Sequence, residues 1–140
     1  MLGDRWLLFR VGTRRCELPI RCTPEPMRPL PIRAVGVPQR AVLGVSVIRG
    51  STVPVVDVAA FFGDRCAEPR RFVTVRVAER VVALAVDEVI GVETIPAASW
   101  DALPGLLAAS EQNVVEAISA ADRDLVLALA AGKLVPEEPA

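Results

Sequence analysis

Few residues of this sequence have the chemistry that catalysis requires. The chain contains no histidine and no tyrosine, which removes the Ser–His triad, histidine-ligated zinc and most general-base chemistry. Its three cysteines, Cys16, Cys22 and Cys66, are odd in number and form no CxxC pair, so they are read as reduced thiols and not as a metal site. The sequence therefore predicts no enzyme, no metal site and no cofactor.

Asp57 and Asp87 are the two carboxylates with a distinctive position, since each ends an apolar run. Two carboxylates can share acid–base work, but the sequence places no other polar groups around them. Asp57 directly precedes a short helical stretch, 58–62, which Gly63 ends, so it has the position of an N-cap. We predict that both side chains accept backbone N–H groups at corners of the fold, and we assign both to structure.

Arg49 is the candidate binding residue. It lies in Arg49-Gly50-Ser51, a tight-turn signal between two β-branched runs. A guanidinium group on a rigid turn can bind a partner's carboxylate through two hydrogen bonds, whereas the ordinary reading of a turn arginine is a solvated charge. The flanking valines and Ile48 alternate along two strands, so that one face is core. The other face is either buried by a second unit or exposed as an apolar groove for a partner helix, and the sequence leaves both open.

Composition limits the fold class and the partners. Hydrophobic residues make up 52% of the chain and aromatic residues only 4%, and the resulting core of valine, leucine, isoleucine and alanine favours strands. The net charge is −1, without the basic excess typical of a nucleic-acid binder. No apolar run approaches the roughly 20 residues of a membrane span, and the apolar segment at the start is too short for a signal peptide. We therefore expect a cytoplasmic protein that binds no nucleic acid and does not insert into a membrane.

The order of elements repeats along the 140 residues. A hairpin, a proline-rich connection, a second hairpin and a short helix are followed, after a polar joint at 64–69, by a similar series. Aligning 9–20 with 75–86 matches Arg10 with Arg76, Val11 with Val77, Arg14 with Arg80 and Leu18 with Leu84. In the second pair of hairpins, Ala130 stands where Asp57 stands. We predict an internal duplication of two small barrels, over 5–64 and 70–135, which bury an apolar seam between them.

The stretch 43–63 also carries a family resemblance. Gly44-Val45, Ile48-Arg49-Gly50 and the run from Val53 to Val58 are similar to the signature of the CheW family of chemotaxis coupling proteins, and the runs 71–75 and 83–92 support the likeness. The order and spacing of these motifs carry the resemblance, which covers 6–135. It implies a single CheW-like domain over 1–140. The implied fold is all-β, with two SH3-like, five-stranded β-barrel subdomains packed together and short helices.

The resemblance also implies a function and a site. Members of the family are non-enzymatic adaptors that couple chemoreceptors, the methyl-accepting chemotaxis proteins, to a CheA-type histidine kinase. By the resemblance, Arg49 faces the receptor's cytoplasmic tip together with Val47, Ile48 and Gly50. Gly44 affects the contact with the kinase, whose regulatory domain has the same fold. The implied mechanism is geometric, because binding holds receptor and kinase in a fixed relation.

The sequence departs from the family pattern at several positions. Val47 stands where the family usually has asparagine, the strand near 115–117 lacks an expected glycine, and Ala130 replaces a frequent aspartate. The second barrel is thus the more divergent half. Two alternatives follow. One is a divergent CheW-like protein that binds a receptor or another partner without full kinase coupling, and the other, with less support, is a small-ligand-binding barrel.

Overall fold

The structure is a computed structural model that describes residues 4–36, 41–64, 68–102, 114–120 and 125–136. Its described residues form eleven β-strands, three 3-10 helices and one short α-helix. The strands are β1 (Asp4–Val11), β2 (Arg14–Pro19), β3 (Glu25–Met27), β4 (Val42–Ile48), β5 (Ser51–Asp57), β6 (Arg71–Val77), β7 (Arg80–Val86), β8 (Glu88–Ile95), β9 (Asp101–Ala102), β10 (Val115–Ser119) and β11 (Val126–Leu129). The helices are the 3-10 helices Ile20–Cys22, Val58–Phe62 and Ala97–Ser99 and the α-helix α1, Ala131–Leu134.

The strands form two sheets. The six-stranded sheet has the order β8-β1-β2-β11-β10-β9, and the five-stranded sheet has the order β3-β6-β7-β5-β4. The all-β prediction with two packed subdomains is confirmed. The six-stranded sheet exceeds the expected five strands because β9, a strand of two residues, pairs with β10.

Strand pairing crosses the boundary that the sequence placed at 64–70. The first hairpin, β1–β2, pairs with β8 and β11, which come from the second half of the chain. The hairpin β6–β7 pairs with β3 and β5, which come from the first half. Neither sheet is therefore formed by one half of the sequence alone. Each half contributes its first hairpin to the sheet that contains the remaining strands of the other half.

The repeated order of elements has a matching geometry. Phe9 pairs with Cys16 in the first hairpin as Val75 pairs with Val82 in the other, which is the register that the alignment of 9–20 with 75–86 requires. Both sheets also contain one parallel pair, β2 with β11 and β7 with β5. The backbone N–H groups of Asp57 and Ala130 donate to the carbonyl groups of Ala41 and Val114, each over 2.7 Å. Asp57 and Ala130 thus occupy equivalent corners.

Three apolar clusters fill the fold. The seam cluster lies between the two sheets and draws on both first hairpins; its buried members are Leu7, Phe9, Val11, Cys16, Leu18, Val56, Val58, Ala59, Val73, Val75, Val82, Leu84, Val86, Val114, Leu129 and Leu134. The opposite face of the five-stranded sheet buries Ile48, Val53, Val55, Phe72, Ala83 and Ala85. The opposite face of the six-stranded sheet buries Trp6, Ile95 and Ala128. Central strands are consequently buried on both faces, which accounts for their nearly continuous runs of valine, leucine and alanine.

The two cysteines in the described residues belong to this packing. Cys16 is a free, fully buried thiol in the seam cluster, and Cys22 is a free, half-buried thiol. Burial raises the pKa of Cys16 to about 12, against the opposing charge of Arg14, so this side chain acts as a small apolar residue. Cys66 lies outside the described residues.

Candidate functional site

Arg49 is displayed by a two-residue turn between β4 and β5. Ile48 pairs with Ser51, and the two residues between them have φ values of 52° for Arg49 and 80° for Gly50. Positive φ at both central residues matches the twist of the flanking strands, and glycine adopts it without steric cost. Because the strands fix both ends of the turn, the Arg49 side chain projects from a rigid support with 80% of its surface exposed.

A carboxylate from another strand already contacts this guanidinium group. Nη2 of Arg49 donates to Oε2 of Glu25, on β3, over 2.8 Å. Both side chains are more than half exposed, so solvent screens the pair and its contribution to stability is small. The pair links the β4–β5 turn to β3.

The pair stands at the rim of a cleft of about 230 Å³ on the five-stranded sheet. Its apolar lining comes from Met27, Ile48, Val53, Val75 and Val81 on five different strands. Ile48 and Val53 belong to the buried cluster of this face, and Met27 and Val81 pack against it, so the cleft is the open end of that packed interior. Val75, which also lines the cleft, belongs to the seam cluster.

The rim of the cleft is polar. Arg49 and Glu25 are joined there by Arg76 on β6, and by the hydroxyl groups of Thr23, Ser51 and Thr74. Guanidinium groups and hydroxyl groups over an apolar floor can bind a side chain that has both an apolar body and an acidic end.

The structure separates the four residues expected at the receptor contact into three roles. Arg49 and Val47 are exposed, Val47 with 64% of its surface accessible. Ile48 is buried, with 8% accessible, and forms part of the cleft lining and of the cluster beneath it. Gly50 provides the turn and has open space around its Cα.

Gly44 has a backbone role in β4. Its φ is 148°, and a Cβ built there would lie 2.2 Å from the carbonyl oxygen of Arg33. The cause of this close approach is a β-bridge, in which Arg33 and Val45 exchange hydrogen bonds of 2.8 and 2.9 Å, beside a bulge between Val42 and Gly44. Any side chain at Gly44 must therefore displace the segment that carries Arg33.

Asp57 and Asp87 each hold a corner of the fold. Oδ1 of Asp57, which is 3% exposed, accepts the N–H of Ala59 over 3.1 Å and caps the 3-10 helix Val58–Phe62. Oδ2 of Asp87 accepts the N–H of Gly12 over 2.5 Å and joins the turn of the first hairpin to the corner between β7 and β8. Each carboxylate is committed to a backbone donor, which suits a structural role.

Glu17 is a feature that the sequence reading missed. It lies on β2 with no exposed surface, and its carboxyl oxygens have no hydrogen-bond partner within the described part of the chain. Burial, and second the neighbouring carboxyl group of Glu93, raise the pKa of Glu17 to about 9. Glu93 is exposed and makes no hydrogen bond of good geometry with Glu17, so burial is the main cause.

The surroundings of Glu17 are also polar in part. Trp6 and Trp100 pack with ring centroids 5.0 Å apart, and their indole N–H groups are buried without a partner in the residues described. The alignment of the hairpins places Ala83 at the position of Glu17, and Ala83 is fully buried in the five-stranded sheet. The signal available in the sequence was this mismatch, in which a glutamate of the first hairpin is aligned with an alanine of the repeated hairpin.

The described residues contain no helix long and apolar enough to cross a membrane. They also contain no group of three histidine, cysteine, aspartate or glutamate side chains that could hold a metal ion. The arrangement around Arg49 consists of ionic groups on the rim of the cleft and apolar side chains on its floor.

Comparisons with known proteins agree with this architecture. The family model for the CheW-like domain matches residues 5–138. A probable chemotaxis protein CheW of Rhizobium etli is 28% identical over 128 residues, which cover 89% of this chain and 83% of that protein. The chemotaxis protein CheW of Rhizobium meliloti is 26% identical over 139 residues, covering 97% and 90%.

A solved structure has the same fold. The crystal structure of the scaffolding protein TtCheW from Thermoanaerobacter tengcongensis aligns with a TM-score of 0.80 and 20% sequence identity. The alignment covers 93% of this chain and 86% of the other. The two-sheet arrangement described above is thus shared with that protein.

Proposed function

The chain belongs to the family of the CheW-like domain, whose model matches residues 5–138, and from this membership we propose that it is an adaptor coupling chemoreceptors to a CheA-type histidine kinase. The observation that carries the proposal is the β4–β5 turn, which presents Arg49 and Val47 beside an apolar cleft. In this proposal the protein catalyses no reaction and works in the cytoplasm, where the receptor's signalling tip and the kinase meet.

The receptor's cytoplasmic tip binds at the turn in this proposal. Arg49 offers a forked donor to a receptor carboxylate, which replaces or shares the bond to Glu25. Val47 is 64% exposed, and covering this side chain contributes on the order of 1 kcal/mol. Gly50 lets the partner approach the backbone closely, and Ile48 supplies the apolar wall of the adjoining cleft.

The kinase's regulatory domain binds through the part of the molecule that Gly44 shapes. The bulge and the Arg33 bridge set the course of β4 at this point, and Leu43, beside Gly44, is 36% exposed. A side chain at Gly44 alters this surface through the backbone, so the residue acts on the kinase contact by positioning it. Asp57 and Asp87 keep structural roles.

The mechanism is geometric. If receptor and kinase contact separate surfaces of one rigid pair of sheets, a movement of the receptor changes the position of the kinase and biases its two activity states. The seam cluster, buried between the sheets, supplies the required rigidity.

A second candidate function is receptor binding without full kinase coupling. It is favoured by the difference between the equivalent corners, because Ala130, the N-cap residue of α1, provides no side-chain cap, whereas Asp57 caps the other helix. A small-ligand protein has less support, since the cleft of about 230 Å³ is below the range of about 300–1,000 Å³ typical of ligand sites.

Binding to two isolated fragments tests the proposal. The fragments are a receptor cytoplasmic tip and the kinase regulatory domain, each titrated with the wild-type chain, Arg49→Glu and Arg71→Glu. Arg71 is a matched control, because it is an exposed arginine outside the cleft, and its guanidinium group donates to the backbone carbonyl of Arg70.

We expect both fragments to bind the wild-type chain, and Arg49→Glu alone to weaken receptor binding. Receptor binding without kinase binding would select the second candidate function. If the folded wild-type chain binds neither fragment, the adaptor proposal is wrong.

A further inference from the structure

Two equivalent arginines of the repeated hairpins differ in how their charges are compensated. Arg10 on β1 stands opposite Glu88 on β8, and its Nε donates to Oε2 of Glu88 over 3.2 Å. Arg76 is the matching residue on β6. Among the described residues, no carboxylate forms an ion pair with Arg76. The charge of Arg10 is therefore compensated by a carboxylate, whereas the charge of the equivalent Arg76 is not.

The cause lies in the length of the neighbouring strand. In the six-stranded sheet, β8 extends far enough to place Glu88 beside Arg10. In the five-stranded sheet, β3 starts at Glu25, which pairs with Thr74, so Arg76 extends beyond the end of β3. The register of β3 and β6 thus leaves Arg76 without a β3 residue beside it, and its charge stays uncompensated.

Arg76 shares its cleft with Arg49. Both residues line the cleft of about 230 Å³, whose only carboxylate among its described lining residues is Glu25. Glu25 is engaged by Arg49 over 2.8 Å. The cleft consequently carries two guanidinium groups against one carboxylate, above an apolar floor, and one positive charge stays uncompensated.

We propose that Arg76 and Arg49 together form an anchor for one acidic side chain of the receptor tip, whose apolar neighbour enters the cleft. The volume suits a side chain better than a whole small molecule, for which sites start at about 300 Å³. Charge complementarity selects an acidic partner segment. Arg76 is then a specificity-determining residue of the binding site, and the inference rests on the receptor contact proposed above.

The test measures binding of a receptor cytoplasmic-tip fragment to the full chain at about 50 mM and about 300 mM salt. The variants are Arg76→Gln, Arg76→Glu and Arg71→Glu. Arg71 lies at the opposite end of β6 and undergoes the same change of charge outside the cleft. A thermal unfolding curve for each variant verifies that it is folded.

We expect Arg76→Gln to weaken binding about threefold and Arg76→Glu about tenfold at low salt, with smaller effects at high salt because the contact is exposed. Arg71→Glu should bind as the wild type does. Equal affinity of Arg76→Glu and wild type, or equal weakening by Arg71→Glu, overturns the inference.

Titrating Arg49→Glu in the same assay, and the Arg76 variants against the kinase regulatory domain as well, separates this inference from the proposed function. If Arg49→Glu weakens receptor binding and Arg76→Glu does not, the receptor contact stands and the role of Arg76 is refuted. If the wild-type chain does not bind the receptor fragment, both fail. If Arg76→Glu weakens only the kinase regulatory domain, the assigned occupant is wrong.

Discussion

Replacing Glu17 by glutamine tests the energetics of the six-stranded sheet most directly. Glu17 has no exposed surface, and burial, with the Glu93 carboxyl group as the second cause, raises its pKa from the usual 4.5 to about 9. With this pKa, Glu17 is protonated in the folded state at neutral pH. The glutamine side chain has nearly the same shape but cannot ionise, so it removes the titration and little else.

The direction of the pH effect follows from the raised pKa. The folded state binds the proton more tightly than the unfolded state does, so the associated stability is fully present below about pH 4.5 and is lost as the pH rises towards 9. Across this window the free energy of unfolding falls by about 1.4 kcal/mol per pH unit. The whole difference in pKa corresponds to about 6 kcal/mol, of which about 3 kcal/mol is lost by pH 7.

Urea unfolding at pH 5, 7 and 9 measures this slope. The two tryptophans of the chain, Trp6 and Trp100, report on the same sheet, because both pack in the cluster of Ala128, which pairs with Glu17. The difference in free energy of unfolding between wild type and Glu17→Gln cancels the titration of all other groups. We expect the wild-type chain to lose stability steeply between pH 5 and 9 relative to the variant.

Two results would refute this reasoning. One is a difference between wild type and Glu17→Gln that does not change with pH, which would mean that Glu17 is hydrated or ionised in the fold. The other is a difference that shifts in favour of the wild type as the pH rises from 5 to 9, which is opposite in sign to the effect of a raised pKa. Glu17→Ala, which copies the residue at the equivalent Ala83, should also abolish the slope, although it leaves a cavity that lowers stability at every pH.

Three further predictions concern the close approach at Gly44, the equivalent corners at Asp57 and Ala130, and the Glu25–Arg49 pair. Gly44→Ala places a Cβ about 2.2 Å from a backbone carbonyl oxygen and should lower the free energy of unfolding by about 2 kcal/mol or more, measured by thermal unfolding. Asp57→Ala should lower the free energy of unfolding by about 1 kcal/mol, because the helix loses its cap. Ala130→Asp, at the equivalent corner with φ −83° and ψ 100°, should raise the free energy of unfolding by up to about 1 kcal/mol. An unchanged melting temperature in both variants would contradict the equivalence. Glu25→Ala frees Arg49 and should change stability by less than about 0.5 kcal/mol, while receptor-fragment binding measured by titration becomes tighter, and weaker binding would show that the pair is needed for recognition.

The sequence predicted local structure well because local structure depends on neighbouring residues. The turn near Gly12, the displayed Arg49 and the cap at Asp57 follow from turn and capping preferences within a few positions. Strand pairing did not follow. Pairing β1 with β8 and β2 with β11 depends on which apolar faces are buried together, and runs rich in valine offer no local signal that distinguishes one partner strand from another.

The site shows the same limit. Arg49 was identified from its turn, whereas its contact with Glu25 depends on the pairing of β3 with β6, and the exposure of Arg76 depends on where β3 begins. Glu17 was missed for a related reason. Its burial results from the parallel pairing of β2 with β11, between strands that are far apart in the sequence.

Because the hairpins are exchanged between the two halves of the chain, departures from the family pattern must be assigned to a sheet and not to the second half of the sequence. Because β1 and β2 belong to the six-stranded sheet, Glu17 and Trp6 from the N-terminal hairpin modify the interior of the sheet that also contains β10, β11 and the uncapped corner at Ala130. The unusual features therefore collect in one sheet, although they come from both ends of the chain. The five-stranded sheet has a buried Phe72 and Ala83 at the equivalent positions and carries Arg49, Arg76 and the cleft. The polar changes lie across the seam cluster from the proposed receptor site, so they can alter the stability of one sheet while the other keeps its binding geometry.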